Sequence, residues 1–202
     1  QYLFMATNKG TIKKTKLNDF ENVRRSGLIA INLEKGDFLG WVRATTGSDE
    51  VVMTTSEAQA IRFKESDVRP MGRNAAGVRG MKLKGSDMIV AMDVVGKDQK
   101  DMELFILSQN GLGKRSELKS YKIQKRGGSG IKTMNLTSKT GKLVGAMITS
   151  MADIENDIII TSEKGTIIRV PFKSVPLLGR VTQGVRVMKP QAGDRVAAFT
   201  ML

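Results

Sequence analysis

Short apolar runs separated by polar turns cover the whole chain. Runs such as Val51–Met53, Leu104–Leu107 and Ile158–Ile160 are only a few residues long, rich in β-favouring residues and bounded by turn residues. These features are typical of β-strands. No window keeps the 3.6-residue apolar period that an amphipathic helix requires. The pattern therefore predicts an all-β fold.

The pattern repeats about every fifty residues. Each copy has an apolar strand, a polar turn, a basic segment with an aromatic residue, a second glycine and further apolar strands. The first turn anchors are Gly10, Gln59, Gly111 and Gly165, spaced 49, 52 and 54 residues apart, and the second are Gly27, Gly77, Gly130 and Gly184. The approximate repeats are 1–50, 51–100, 101–152 and 153–202. Together they form a single domain fragment over residues 1–202.

Each repeat is predicted to supply four strands. An apolar first strand is followed by a short basic strand around Ile12, Ile61 or Ile167. A third strand follows the second anchor, as in Leu28–Leu33 and Ile131–Leu136. The fourth strands are predicted at Phe38–Val42, Met88–Val94, Leu143–Ile148 and Val196–Phe199. Four strands in about fifty residues, repeated, is the arrangement of propeller blades. Gln59 replaces glycine at the first anchor, so we expect that turn to be relaxed.

The composition narrows the possible chemistry. The 202 residues contain no histidine and no cysteine, which removes the commonest general base, the best nucleophile and the thiolate and imidazole metal ligands. We read the acidic cluster in residues 97–103 as a solvated loop and expect neither a metal site nor a cofactor. No apolar window is long enough for a membrane span. Because residue 1 is Gln, we expect the chain to be an excised piece of a longer polypeptide.

The net charge of +13 is concentrated in four equivalent segments. The segments between paired anchors (10–27, 59–77, 111–130 and 165–184) hold 18 Lys and Arg and 5 Asp and Glu, and the remaining residues sum to zero. A single basic run is usually a solvated surface. Four runs at equivalent positions of a blade array predict a continuous basic stripe along one rim, which suits a bent polyanion.

These segments resemble a known family. The stretches "GTIKKTKLNDF", "IRFKESDVRPMGRNAAGVRGMKL" and "LLGRVTQGVRVM" are similar to the C-terminal repeats in the A subunits of bacterial DNA gyrase and topoisomerase IV. The resemblance spans all four repeats. It implies a propeller-like β-pinwheel, here four four-stranded blades that are the last four of a six-bladed domain, with strands exchanged between neighbouring blades. In that family DNA wraps around the basic outer rim and the wrap supports negative supercoiling.

The resemblance and the repeat frame together predict the DNA-binding residues. Seven cations on or beside the short basic strands (Lys13, Lys14, Arg62, Lys64, Lys114, Arg115 and Arg169) are expected to contribute alike. The full predicted set is Lys13, Lys14, Lys16, Arg24, Arg25, Arg62, Lys64, Arg73, Lys114, Arg115, Lys122, Lys125, Arg126, Arg169, Lys173 and Arg180.

One glycine-rich loop is similar to the family's hallmark heptapeptide box, Gln-Arg-Arg-Gly-Gly-Lys-Gly. The box-like loop consists of Gln124, Lys125, Arg126, Gly127, Gly128, Ser129 and Gly130, and it matches five of the seven positions. By repeat order this loop falls in the fifth blade of the family, which makes it a degenerate copy of a box that lies upstream. If the blade order is different, it is the box itself. Its glycines can let the backbone approach phosphates while Lys125 and Arg126 neutralise charge.

The resemblance also implies the setting of the chain. The family's DNA-cleaving tyrosine lies in a separate N-terminal region, and neither Tyr2 nor Tyr121 stands in that motif, so no catalytic residue is expected here. The implied partners, in the cytoplasm at the nucleoid, are double-stranded DNA, the ATP-hydrolysing B subunit of an A2B2 enzyme and the N-terminal part of the same A subunit. Two alternatives stay open, namely a topoisomerase IV pinwheel that selects DNA crossings and a basic propeller that binds an acidic protein.

Overall fold

The computed structural model describes all residues, Gln1–Leu202, as strands joined by turns. The strands are β1 Tyr2–Thr7, β2 Thr11–Lys16, β3 Leu39–Thr45, β4 Glu50–Thr55, β5 Gln59–Lys64, β6 Val78–Arg79, β7 Ile89–Val95, β8 Glu103–Ser108, β9 Leu112–Glu117, β10 Ile131–Lys132, β11 Leu143–Thr149, β12 Asp157–Ser162, β13 Ile167–Pro171, β14 Val185–Arg186 and β15 Val196–Met201. Five single 3-10 turns occur at Leu17–Phe20, Glu65–Asp67, Leu118–Ser120, Met151–Asp153 and Phe172–Ser174. None of these turns has the length or apolarity that crossing a bilayer requires. The predicted all-β fold is confirmed.

Each repeat begins with an antiparallel hairpin whose turn needs a left-handed residue. Gly10, Gly111 and Gly165 take φ values of 85°, 79° and 87° at this position. In the second repeat the left-handed residue is Ala58, with φ of 56°, and not the predicted anchor Gln59, which is the first residue of β5. This conformation costs alanine about 1 kcal/mol or more. Because Ala58 adopts the same left-handed conformation as the three glycines, the turn keeps its shape in the second repeat. The predicted relaxation at Gln59 is wrong.

The sheets exchange strands between repeats. Their strand orders are β3-β1-β2-β6, β10-β5-β4-β7, β11-β8-β9-β14 and β13-β12-β15. In each of the first three sheets the last partner of the hairpin (β6, β10 or β14) comes from the following repeat. The fourth sheet has three strands, because no later repeat within these residues reaches β13. This is the strand exchange expected of a pinwheel.

The third strand of each repeat is shorter than predicted. Ile131–Leu136 contributes only Ile131–Lys132 to a sheet, and Leu28–Leu33 forms no strand. These segments pair only with the second strand of the preceding hairpin, and Lys132 already pairs with Gln59, the first residue of β5, so the partner strand ends there. Residues 28–33 have no such hairpin before them in this chain.

The apolar residues fill the three spaces between neighbouring sheets. One cluster joins the first sheet to the second through Phe4 and Phe63, a second joins the second and third sheets, and a third joins the third and fourth sheets through Phe105 and Ile158. The middle strands are therefore buried on both faces, which explains the continuous apolar run in β8. No cluster joins the fourth sheet to the first, so the four sheets form an open arc.

The arc has an inner and an outer edge. Strands β3, β7, β11 and β15 lie at one edge of their sheets and contact one another in sequence around the arc. The opposite edge is formed by β6, β10 and β14 in the first three sheets. We call these three strands the rim strands. The outer edge of the arc, which they mark, is called the rim.

Candidate nucleic-acid interface

Each rim strand has the same three-residue form. A glycine precedes a β-branched residue and a cation, giving Gly77-Val78-Arg79, Gly130-Ile131-Lys132 and Gly184-Val185-Arg186. The cations Arg79, Lys132 and Arg186 are all exposed. The DNA-binding set predicted from the sequence does not contain these three residues, because they lie two residues beyond the second anchors, outside the segments that hold the excess charge. The signal was present in the repeat frame, since a cation stands two residues after three of the four second anchors.

The anchor glycines are needed for packing against the preceding repeat. A Cβ built on Gly77, Gly130 or Gly184 would lie 2.5, 2.6 and 2.6 Å from a backbone oxygen of Ile12, Ala60 and Gly113, respectively. All three also have positive φ. Only glycine lets the rim strand approach the neighbouring hairpin this closely, so these glycines serve the strand exchange.

An arginine four residues before three of the second anchors (Gly77, Gly130 and Gly184) ties the loop to the segment that follows the second anchor of the preceding repeat. The guanidinium of Arg126 donates to the carbonyls of Asp67 at 3.0 Å and Arg79 at 3.1 Å. At the equivalent position Arg180 donates to the carbonyl of Lys132, and Arg73 approaches the carbonyl of Ile29 at 3.5 Å. We call Arg73, Arg126 and Arg180 the staple arginines. Each is partly exposed.

The box-like loop packs its backbone against the second repeat. The amide of Gly127 donates to the carbonyl of Gly80 at 2.6 Å, and the amide of Lys82 donates to the carbonyl of Gly128 at 2.9 Å. Lys125 and Ser129 are exposed. Two of the loop's glycines, Gly127 and Gly130, have positive φ. The loop therefore uses much of its glycine content within the protein and presents Lys125 outward.

Two predicted DNA-binding lysines are buried. Lys13 donates to the carbonyl of Ala30 at 2.7 Å and to that of Arg73. Lys114, at the same position two repeats later, donates to the carbonyls of Gly179 at 2.6 Å and Arg180 at 2.7 Å. Both are fully covered by protein. Lys114 lies in the third sheet, between the second and the fourth, whereas Lys13 lies in the first sheet and is covered by the segments of Ala30 and Arg73. They hold the following loop from inside and do not reach the surface.

The next residue along each basic strand belongs to an ion-pair column that is buried in the first and third repeats and exposed in the fourth. Arg62, Arg115 and Arg169 pair with Glu50, Glu103 and Asp157 at 2.6, 2.7 and 2.5 Å. Lys14 instead lies 4.9 Å from the centre of the Tyr2 ring and 3.5 Å from Glu65. The column consists of Lys14, Arg62, Arg115 and Arg169. Lys14 and Arg115 are buried, so the prediction that all basic-strand cations contribute alike at the surface is wrong.

The remaining predicted cations divide by exposure. Arg62 and the staple arginines are partly buried. The exposed predicted residues are Lys16, Arg24, Arg25, Lys64, Lys122, Lys125, Arg169 and Lys173. Two of these, Arg169 and Lys173, pair with Asp157 and Glu155.

Burial and the neighbouring Arg180 guanidinium lower the pKa of Lys114 from about 10.5 to about 8. Between the folded and unfolded values the native protein holds fewer protons than the unfolded chain, so stability rises with pH in that window.

We expect the free energy of unfolding of the wild type, relative to Lys114→Met, to rise by about 1 to 2 kcal/mol between pH 8 and pH 9.5. Urea unfolding at several pH values measures this difference. Lys122→Met, which removes an exposed lysine, is the control and should not change the pH dependence; an equal change would contradict the assignment to Lys114.

The four repeats match a known family. A family model described as the DNA gyrase C-terminal domain, beta-propeller, matches residues 1–45, 49–96, 103–150 and 156–201, one segment for each repeat. The chain belongs to this family. The resemblance drawn from the sequence is thus confirmed.

The relatives of this chain include the DNA gyrase A subunit of Staphylococcus epidermidis. It is 39% identical over 97% of this chain and 22% of that protein. The DNA gyrase A subunit of Aminobacterium colombiense is 37% identical over 100% of this chain and 24% of that protein. The chain therefore spans less than a quarter of the length of these relatives.

Two solved structures are similar over 100% of this chain. The C-terminal domain of DNA topoisomerase IV matches with a TM-score of 0.91 and 27% identity, and 61% of that chain is covered. The DNA gyrase A C-terminal domain matches with a TM-score of 0.85 and 28% identity, and 65% is covered.

Proposed function

We propose that this chain is a double-stranded DNA-binding and wrapping module of a bacterial type II topoisomerase of the gyrase A type. The rim carries the proposal: Arg79, Lys132 and Arg186 recur at one position of successive sheets around an arc, with exposed cations of the intervening loops between them. Cations that recur at one strand position along a curved edge can neutralise successive phosphates of a bent duplex.

The proposed DNA contacts differ from the set predicted from sequence. They comprise the rim-strand cations and the predicted cations that are exposed, namely Lys16, Arg24, Arg25, Lys64, Lys122, Lys125, Arg169 and Lys173. The staple arginines lie beside these contacts and donate to backbone carbonyls. The buried Lys13, Lys14, Lys114 and Arg115 are left out. Such contacts neutralise phosphates and do not read bases, so we expect binding to be insensitive to sequence.

The chain itself is proposed to be a non-enzymatic part of the parent enzyme. Cleavage would then belong to the N-terminal part of the same A subunit, whereas ATP hydrolysis would belong to the B subunit of an A2B2 enzyme at the nucleoid in the cytoplasm. The coverage of the two solved domains, 61% and 65%, supports the proposal that these repeats are four blades of a six-bladed pinwheel and that residues 1–202 are a single domain fragment.

Removing the rim-strand cations should lower the salt dependence of DNA binding. Each lost phosphate contact lowers the slope of log K against log salt by about 0.9, so the slope of the triple variant Arg79→Ala, Lys132→Ala, Arg186→Ala should fall by about 2.7. Anisotropy titrations of labelled duplexes of unrelated sequence, at several salt concentrations, measure the slope.

A variant with the same change in net charge is the control. Lys97, Lys100 and Lys139 are exposed in loops outside the rim strands and outside the predicted DNA-binding set, and their triple alanine variant should keep the slope. Equal effects of the two triple variants would show that affinity follows net charge and that DNA does not lie along the rim.

A topoisomerase IV pinwheel is the second candidate, favoured by the TM-score of 0.91. The two candidates differ in wrapping. A wrapping domain constrains writhe, so a plasmid relaxed in its presence should retain a changed linking number after the protein is removed. Binding without a linking-number change would favour the topoisomerase IV reading. Binding to an acidic protein but not to DNA would favour the interaction propeller.

A further inference from the structure

The staple arginines form a second series, distinct from the rim-strand cations. Each acceptor carbonyl belongs to the residue two places after the second anchor of the preceding repeat, namely Ile29, Arg79 and Lys132. Two of these acceptors are rim-strand cations themselves. Each staple therefore joins a loop of one repeat to the rim position of the repeat before it.

The staples lie where neighbouring repeats meet at the outer edge of the arc. We call these three boundaries, between repeats one and two, two and three, and three and four, the first, second and third joints. The hairpins and inner strands of neighbouring sheets are held by the buried clusters, whereas the outer edge depends on the rim strands and the loops before them. A guanidinium that donates to a carbonyl forms a charge-assisted hydrogen bond in a fixed planar geometry. Such a bond across each joint limits how far neighbouring rim positions can spread.

The joint at the box-like loop depends most on its staple. At the first joint the buried Lys13 holds the carbonyls of Ala30 and Arg73, and at the third joint Lys114 holds those of Gly179 and Arg180. At the second joint the matching strand position is Ile61, which has no donor. There Arg126 makes two bonds to the second repeat, alongside the backbone bond from Gly127 to Gly80.

We propose that Arg73, Arg126 and Arg180 are positioning residues that fix the spacing of neighbouring rim cations and thereby the bend that the rim imposes on DNA. The inference rests on the proposed DNA-wrapping function. A duplex bends against its own stiffness only if successive phosphate contacts are held at a set separation. If the joints are loosened, the rim can adapt to a straighter duplex and keep its phosphate contacts. The bend of the bound DNA can then change while the affinity for DNA stays the same.

The test replaces the staples while keeping their charge. The double variant Arg126→Lys, Arg180→Lys keeps both positive charges. A lysine ammonium lacks the planar fork of N–H donors with which a guanidinium binds carbonyls in a fixed geometry. We expect DNA affinity within about twofold of the wild type and an unchanged salt slope, because the number of cations is the same. The end-to-end distance of a doubly labelled duplex, measured by fluorescence energy transfer, should increase as the bend relaxes.

Lys125→Ala is the matched control in the same loop. Lys125 is exposed, and its removal should lower the salt slope by about 0.9 without changing the bend of the bound duplex. An unchanged bend in the double lysine variant would overturn the proposal. A parallel loss of affinity and salt slope in that variant would also overturn it, since the arginines would then be direct phosphate contacts.

A readout without DNA separates this inference from the proposed function. In Arg126→Lys the amides of Gly127 and Lys82, which cross the same joint, should exchange hydrogen faster, and scattering should show a wider arc. If the wild type fails to bind DNA while these changes occur, the proposed function fails and the staples still set the joint. If exchange and scattering are unchanged, the staples do not set the joint, whatever the DNA result.

Discussion

Gly130→Ala should cost about 3 kcal/mol or more of folding stability. The new Cβ would lie 2.6 Å from the carbonyl oxygen of Ala60 and 2.7 Å from the Cε of Met81. In addition, Gly130 has φ of 73°, a conformation that costs about 1 to 2 kcal/mol for alanine. Relief of the clash requires the rim strand β10 to move away from β5, which adds an overpacking cost of about 1 to 3 kcal/mol. Equilibrium unfolding in urea gives the difference.

Gly128→Ala is the control two residues earlier in the same loop. Its Cβ would meet nothing closer than 3.5 Å, and its φ is not positive, so we expect a change within about 0.5 kcal/mol. Similar costs for the two substitutions would contradict the structural role of Gly130. Because Gly128→Ala keeps the fold, its DNA bend and affinity also report whether this backbone comes close to a phosphate.

Arg115→Met should destabilise the protein by about 3 to 5 kcal/mol, because it leaves the Glu103 carboxylate buried without its partner. Arg115 pairs with Glu103 at 2.7 Å and donates to the carbonyl of Val175 in the next repeat at 2.8 Å. The side chains of the pair are only 10% and 7% exposed. Thermal and urea unfolding measure the loss.

The same change in the fourth repeat is the control. The side chain of Arg169, at the equivalent position, is 69% exposed beside Asp157, so Arg169→Met should cost about 0.5 kcal/mol. In the third repeat, replacing Glu103 with Leu together with Arg115→Met should recover much of the stability, since an apolar pair can replace a buried ion pair. A small cost for Arg115→Met alone would show that Glu103 is solvated.

The sequence was sufficient for the repeats, the hairpins and the family, because these depend on local turn chemistry and apolar periodicity. It was misleading about the basic pairs. Adjacent residues of a strand point to opposite faces, and a strand between two sheets has no solvent-facing side. Lys114 and Arg115, in the third sheet with a neighbouring sheet on each face, are therefore both buried. In the first sheet Lys14 faces Glu65 of the second repeat, and Lys13, on the opposite face, is covered by the segments of Ala30 and Arg73.

A usable signal for the ion-pair column was present. Glu50, Glu103 and Asp157 each stand 12 residues before the arginine that they bind. The acid at the start of one strand and the arginine near the end of its hairpin partner are diagonal neighbours in the antiparallel pair, two residues from direct register, and a long side chain spans that distance. The staple contacts had no such signal, since they join loops 44 to 59 residues apart.

The strand exchange has a consequence for how such chains can lengthen or shorten. Every acceptor edge receives a glycine, a β-branched residue and a cation, so the donor segments of different repeats are chemically interchangeable. If the third repeat were deleted, Gly184-Val185-Arg186 could take the place of Gly130-Ile131-Lys132 against β5. The paired rim segment would therefore keep the same residue types if the number of repeats changed by a whole unit, whereas the lysine that holds the following loop from inside occurs only in the first and third repeats.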